Sequence, residues 1–148
     1  ACRALHASAQ FAFAGGDTQA ARRVIEHLLD AGAPIDACNA DGQTALLILL
    51  GARAQPRSGA DQKALLGLLG MLCERGARID VQDERGVGPL HACAMHGLLL
   101  PARALLSAGA DRTRRDLLER TPREVAHLLG FIDVAAELGD QRSRLQAI

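Results

Sequence analysis

The chain has 148 residues and a hydrophobic content of 49%, enough for one domain with a real core, which argues against disorder of the whole chain. Seventeen Lys and Arg balance seventeen Asp and Glu, so no global positive field exists to draw it to nucleic acid or an anionic membrane. Trp and Tyr are absent and Phe occurs three times; the core must therefore be built from Ala and Leu, a composition that points to closely packed helices.

Lys63 is the sole lysine among the basic residues. With the Ala, Gly and Leu excess this implies a GC-rich coding sequence and hence a bacterial source. Cys2, Cys38, Cys73 and Cys93 form no CxxC pair and are too few for a disulfide-stapled mini-domain. They read as small buried hydrophobes, and a reducing, cytoplasmic location is the expectation. No apolar run is long enough to span a bilayer, and the start carries no secretory signal pattern. The chain opens in a helical stretch without an initiator Met, which is the expectation for a domain of a longer protein or a processed one.

In chain order, a helical phrase Ala4-Leu5-His6-Ala7-Ser8-Ala9 leads to Gly16, and a Leu-rich helix ends at Ala31-Gly32-Ala33 before Ile35-Asp36. The phrase Asp41-Gly42-Gln43-Thr44-Ala45-Leu46 opens the next unit. Its polar connection, Gln55-Pro56-Arg57-Ser58-Gly59-Ala60, reads as an exposed, mobile loop, and Asp61 reads as the cap of a helix running to Glu74. Arg75-Gly76-Ala77 and Ile79-Asp80 close that unit. Arg85-Gly86-Val87-Gly88-Pro89-Leu90-His91-Ala92 opens the third, with an inner helix over Pro89 to about His96 and an outer one over Pro101 to about Ala108. Ala108-Gly109-Ala110 and Asp111 end it, and Arg120-Thr121-Pro122 opens the fourth. Residues 141–148 no longer match and read as a fraying tail.

Thr-Pro suits a helix start, because Pro at the first helical position lacks only an orphan N–H and the preceding Thr can cap the turn. Gly42 and Gly86 fall in turns that need positive φ, and Gly32, Gly76 and Gly109 where a helix ends in a left-handed residue. Leu90, Ala94, Leu105 and Leu106 supply the stripe that packs on neighbouring units. From Pro89 to Pro122 the spacing is 33; from Ala4 to Ala45 it is 41, and from Ala45 to Pro89 it is 44. The eight extra residues of the first unit divide between its two helices, about one turn each. The eleven of the second fall mainly in its loop.

These phrases resemble the ankyrin repeat, in which Asp, Gly, Thr-Pro-Leu-His and a later Leu-Leu-x-x-Gly-Ala recur about every 33 residues. The resemblance covers about Ala4 to Gly139 and implies an all-α repeat solenoid, stacked helix-turn-helix units joined by β-turn or hairpin loops. It makes residues 1–140 one domain, with repeats near 1–38, 39–82, 83–115 and 116–139. Ala45 stands where the family has Pro, Leu47 where it has His, Gly88 where it has Thr, Glu119 where it has the turn Gly, and Arg123 where it has Leu. The last two suit a polar cap.

Chemistry gives little. His6 and His91 hold the family's Leu-His position and read as scaffold residues bonding turn backbone. In His91-Ala92-Cys93-Ala94-Met95-His96 the offsets of two and five send ligands to different faces of one helix, against a zinc site. Cys73 and Cys93 could approach across stacked units, but read as inert packing. Asp83 and Glu84 read as solvated acids at a tip. No Ser, His and acid set, no Gly-rich loop with Lys and no HExxH occurs, so no enzyme, cofactor, metal or small-molecule substrate is expected.

The resemblance implies binding of a protein partner on the concave side, through hairpin tips and the exposed face of the inner helices. By position the tips are Ala40, Asp41 and Gln43, then Glu84, Arg85 and Val87, then Leu117, Leu118 and Arg120. Met95 and His96 join them from the third inner helix and Leu128 from the fourth. Leu117 and Leu118 stand where polar residues are expected; beside Val87 and Met95, and rimmed by Arg85, Arg115 and Arg120, they would form an apolar anchor unless they fold back onto the last repeat or onto the tail. Other readings are a regulatory or targeting domain of a larger enzyme or secreted effector, and a self-associating scaffold.

Overall fold

The computed structural model describes residues 2–52 and 61–139. Among these the chain is all-helical, without a strand: α1 (Cys2–Phe13), α2 (Thr18–Asp30), α3 (Ala45–Leu49), α4 (Gln62–Glu74), α5 (Pro89–His96), α6 (Leu99–Ser107), α7 (Pro122–Leu129) and α8 (Ile132–Glu137). Consecutive helices pair as α1/α2, α3/α4, α5/α6 and α7/α8. The odd helices contact one another in one row and the even helices in a second. A single row could not hide an apolar stripe from water; two rows of stacked pairs bury it between rows and between pairs. All five residues of α3 and all eight of α5 are buried, and the core runs on through Leu65, Leu69, Leu72, Ala102 and Leu105 of the even row.

The helix ends follow from local chemistry. Thr44 and Thr121 accept from the N–H of Leu47 and Glu124, capping α3 and α7, while Asp17 and Asp61 cap α2 and α4. Gly88 has no hydroxyl; its own N–H donates to His91 Nδ1 instead, at 3.3 Å. Gly32, Gly76 and Gly109 take φ of 95°, 92° and 95°, and the following Ala33, Ala77 and Ala110 donate to Leu28, Leu72 and Leu105 carbonyls, each at 3.0 Å. These are three copies of one helix-ending motif.

The first pair is longer, as the spacing predicts. Its helices have 12 and 13 residues against 8 and 9 in the third pair, about one turn more each. In the second pair α4 runs from Gln62 to Glu74 behind its Asp61 cap, as the sequence reading expects; with 13 residues it carries part of the insertion. The inner helix of that pair, α3, stops after five residues, where Gly51 turns the chain at φ 93°. The Gln55 to Ala60 loop and the 141–148 tail lie outside the described residues.

Three tips join the pairs, and each is built alike. The N–H of residues 39, 83 and 116 donates to the carbonyl of residues 43, 87 and 120, at 3.0 Å in all three. Successive tips are also bonded: Glu84 N–H donates to the Asp41 carbonyl at 3.0 Å, and Leu117 N–H to the Arg85 carbonyl at 2.9 Å. The positive φ that Gly42 and Gly86 supply at 76° and 77° is held in the last tip by Glu119 at 63°. A side chain in that region costs roughly 1–2 kcal/mol, so Glu119→Gly is expected to stabilise the protein by about 1 kcal/mol after the added chain entropy. Urea unfolding checks this, and a lowered midpoint would contradict it.

Candidate partner-binding surface

Each tip is pinned by one side chain, five residues before the helix cap. Asn39 Oδ1 accepts from the N–H of Asp41 and Gln43, both at 2.9 Å. Asp83 Oδ1 accepts from Arg85 at 2.9 Å and Val87 at 3.0 Å, and Asp116 Oδ1 from Leu118 and Arg120, both at 2.9 Å. A short acceptor reaching its own backbone two and four residues on is what fixes such a turn. Burial would raise the Asp116 pKa, but the Arg120 N–H and guanidinium, with the Leu118 N–H, hold it below the usual carboxylate value.

Asp83 corrects the reading of a solvated acid. Its side chain is 1% exposed, and Oδ2 accepts from Gln43 Nε2 at 3.3 Å and from Arg85 Nη2 at 2.8 Å. Glu84 beside it is exposed. Gln43 is buried as well, accepting from Asn39 Nδ2 at 3.1 Å while it reaches Asp83. Gln43 therefore belongs mainly to the interior of the tips and reaches the surface only where it lines the hollow beside Asp41, Glu84 and Arg85. The same Arg85 Nη2 also donates to the Ala52 carbonyl, at 2.6 Å.

That contact explains a second correction. After the early end of α3, Gly51 and Ala52 run onto the third pair, where the Gly51 carbonyl meets His96 Nε2 at 2.9 Å. His96 also lies against Phe13, ring centroids 4.9 Å apart. His96, Met95 and Val87 are all buried, so Val87 and Met95 do not extend an exposed apolar patch beside Leu117 and Leu118. His96, through Phe13 and the Gly51 carbonyl, ties the third pair to the first two.

Two more histidines of the inner row, His6 and His91, are structural too. His6 Nε2 bonds the Ala37 carbonyl at 2.9 Å. His91 receives the Gly88 N–H on Nδ1, which leaves Nε2 to donate to the Arg120 carbonyl at 2.9 Å and ties the third pair to the last tip. Burial holds the His91 pKa below the usual value, outweighing that bond to the Arg120 carbonyl, so the ring is neutral near pH 7. Cys93 is fully buried and its thiol is pushed far up by desolvation; Cys73 is raised for the same reason. Among the described residues no group of three or more His, Cys, Asp or Glu is placed to hold a metal ion, and no helix is long and apolar enough to cross a membrane.

What stays open is the outer edge of the tips. Asp41, Glu84 and Arg85 are exposed around a shallow hollow with Ala52. Leu117 and Leu118 are 72% and 70% exposed; they do not fold back onto the last repeat, and the tail lies outside the described residues. Arg120 is half-buried, its guanidinium on Asp116 Oδ2 at 3.0 Å, and Arg115 beside the tip bonds the Glu119 carbonyl at 2.7 Å. Leu128 of α7 is also exposed, in a separate groove with Arg123, Glu124 and His127. The sequence reading missed the recurring Asn39, Asp83 and Asp116, whose signal is an Asx five residues before each cap position, and the exposed Phe11, Val24 and Ile132. No protein-family model matches the chain, and no curated protein matches it.

Proposed function

We propose that this chain is an ankyrin-repeat stack of four units, working as a non-catalytic interaction module that binds a partner protein along its line of hairpin tips. Support for the stack comes from helix pairs, left-handed glycines and tip hydrogen bonds recurring at the spacing of the sequence phrases. The observation that carries the binding reading is the last tip. Leu117 and Leu118 project 72% and 70% exposed from a turn whose backbone is held by Asp116 and by the Arg85 carbonyl. The same positions in the earlier tips hold Ala40 and Asp41, then Glu84 and Arg85. Two solvated leucines on an already ordered loop lose water on binding without a large ordering cost, the character of an interface anchor. Flanking Arg85, Arg115 and Arg120, each paired with a carboxylate, supply a polar rim.

The test is capture of partners from source lysate on the immobilised chain, with Leu118→Asp in parallel. An anchor residue is worth about 2 kcal/mol, so the variant is expected to lose on the order of thirtyfold in affinity with an unchanged circular dichroism spectrum. Wild-type capture by a folded Leu118→Asp chain would contradict the reading.

A further inference from the structure

The exposed leucines of the last tip sit in a charged frame that the chain as a whole does not share. Over the full sequence the charges cancel, seventeen against seventeen. The three tips, residues 39–43, 83–87 and 116–120, hold five acids against two arginines, a net charge of −3. Both arginines are engaged: Arg85 pairs with Asp83 at 2.8 Å and Arg120 with Asp116 at 3.0 Å, on carboxylates that are themselves buried. Arg115, which precedes the last tip, lies 3.6 Å from Glu124. Asp41, Glu84 and Glu119 are left over, one on each tip and all exposed. Among the described residues none of these three carboxylates has an ion-pair partner.

The leucines and the acids lie within reach of one short segment. Glu84 N–H bonds the Asp41 carbonyl and Leu117 N–H the Arg85 carbonyl. Residues joined by such a bond lie roughly 5.5 Å apart at Cα, and chain neighbours about 3.8 Å, so Leu117 is within roughly 15 Å of Asp41. About five residues of extended chain cover that span. Between Asp41 and Glu84 the surface is hollowed, with Gln43, Ala52 and Arg85 completing the walls.

We propose that the partner presents to the tips a short segment in which an apolar side chain is accompanied by Lys or Arg. The apolar group seats on Leu117 and Leu118, a basic neighbour faces Glu119, and a second basic residue further along the segment enters the hollow between Asp41 and Glu84. This rests on the tip-binding reading and adds the chemistry of what binds. The leucines supply most of the affinity by losing water; the three carboxylates steer a cationic segment in and fix its direction, because the apolar end and the hollow differ. An anionic segment, a phosphorylated peptide or a nucleic acid, meets three like charges and finds both tip arginines already engaged.

Selection of a random peptide display library on the immobilised chain tests this, since the surface itself then chooses the composition. Enriched peptides are expected to combine an aliphatic or aromatic residue with an excess of Lys and Arg over Asp and Glu. Affinity of the most enriched peptide is then read by fluorescence anisotropy. Asp41→Asn combined with Glu84→Gln is expected to weaken it about tenfold at low salt, with an unchanged circular dichroism spectrum and a loss that shrinks as salt rises. Leu118→Ser is expected to weaken it at low and high salt alike. Enrichment of acidic or uncharged peptides, full affinity in the doubly neutralised chain, or a library that yields no binder would overturn the proposal. In the first two cases a peptide still lost with Leu118→Ser leaves the tip reading standing, whereas one indifferent to all three substitutions removes both. In the third, lysate capture with Leu118→Asp decides the tip reading by itself.

Discussion

Asp83→Ala is expected to lower the unfolding free energy by about 3 kcal/mol. The carboxylate satisfies two backbone N–H groups, the Gln43 amide and the Arg85 guanidinium at once, and its side chain is 1% exposed, so water cannot take over those roles. Truncation strands the Val87 N–H and Gln43 in the interior; the Arg85 end of the pair is half in solvent and recovers part of its loss, which keeps the total from rising further. Asp83→Asn is the informative control. Asn39 does the equivalent work in the first tip with its amide oxygen, so Asn at position 83 keeps both backbone bonds; its amide nitrogen cannot accept from the Gln43 amide or the Arg85 guanidinium as Oδ2 does, and the change is expected to cost about 2 kcal/mol, less than loss of the whole group. Urea denaturation of the two variants checks the ordering. Equal losses would mean that charge, and not turn geometry, sets the effect.

Gly86→Ala is expected to destabilise by a similar amount, about 3 kcal/mol, through two additive causes. The residue sits at φ 77°, where a side chain alone costs roughly 1–2 kcal/mol. A Cβ would also fall 2.8 Å from Asp116 Cα and 2.9 Å from Leu117 N. Those are backbone atoms of the next tip, which cannot swing aside as a side-chain end can. The comparison that separates the causes is Gly76→Ala: its φ is 92° but nothing lies within 4 Å of the added Cβ, so it should show the backbone strain alone, about 1 kcal/mol. Because the clash falls on the Asp116 and Leu117 backbone, Gly86→Ala is also expected to weaken partner capture under conditions where the chain remains folded. Thermal unfolding midpoints for the two variants give the comparison; indistinguishable values would mean that the tips do not set each other's position.

The parts of the molecule that could be read from the sequence are those fixed within a few residues. Glycine at a left-handed position, Thr-Pro or Asp at a helix start, and a four-residue lengthening of α1 and α2 are local signals, and the structure carries each of them. What was not legible depends on chain segments far apart. Gly51 ends α3 early and sends its carbonyl and that of Ala52 onto His96 and Arg85, contacts between segments far apart in the chain. Asp83 looks like an ordinary solvated acid until the tip is closed around it; only its alignment with Asn39 and Asp116 marks it as a turn-forming residue. Exposure of Leu117 and Leu118 was an open alternative in the sequence, since nothing local decides whether an apolar pair folds back. The backbone bond from Leu117 to the Arg85 carbonyl sets the tip outward and decides it.

Hydrogen–deuterium exchange on the chain alone and with a captured partner would locate the contact. Protection gained at Leu117, Leu118 and Glu119, with a smaller gain at Glu84 and Arg85, is the outcome the tip-binding reading requires. Protection confined to the outer helices α2, α4 and α6, with the last tip exchanging as fast as in the free chain, would contradict it.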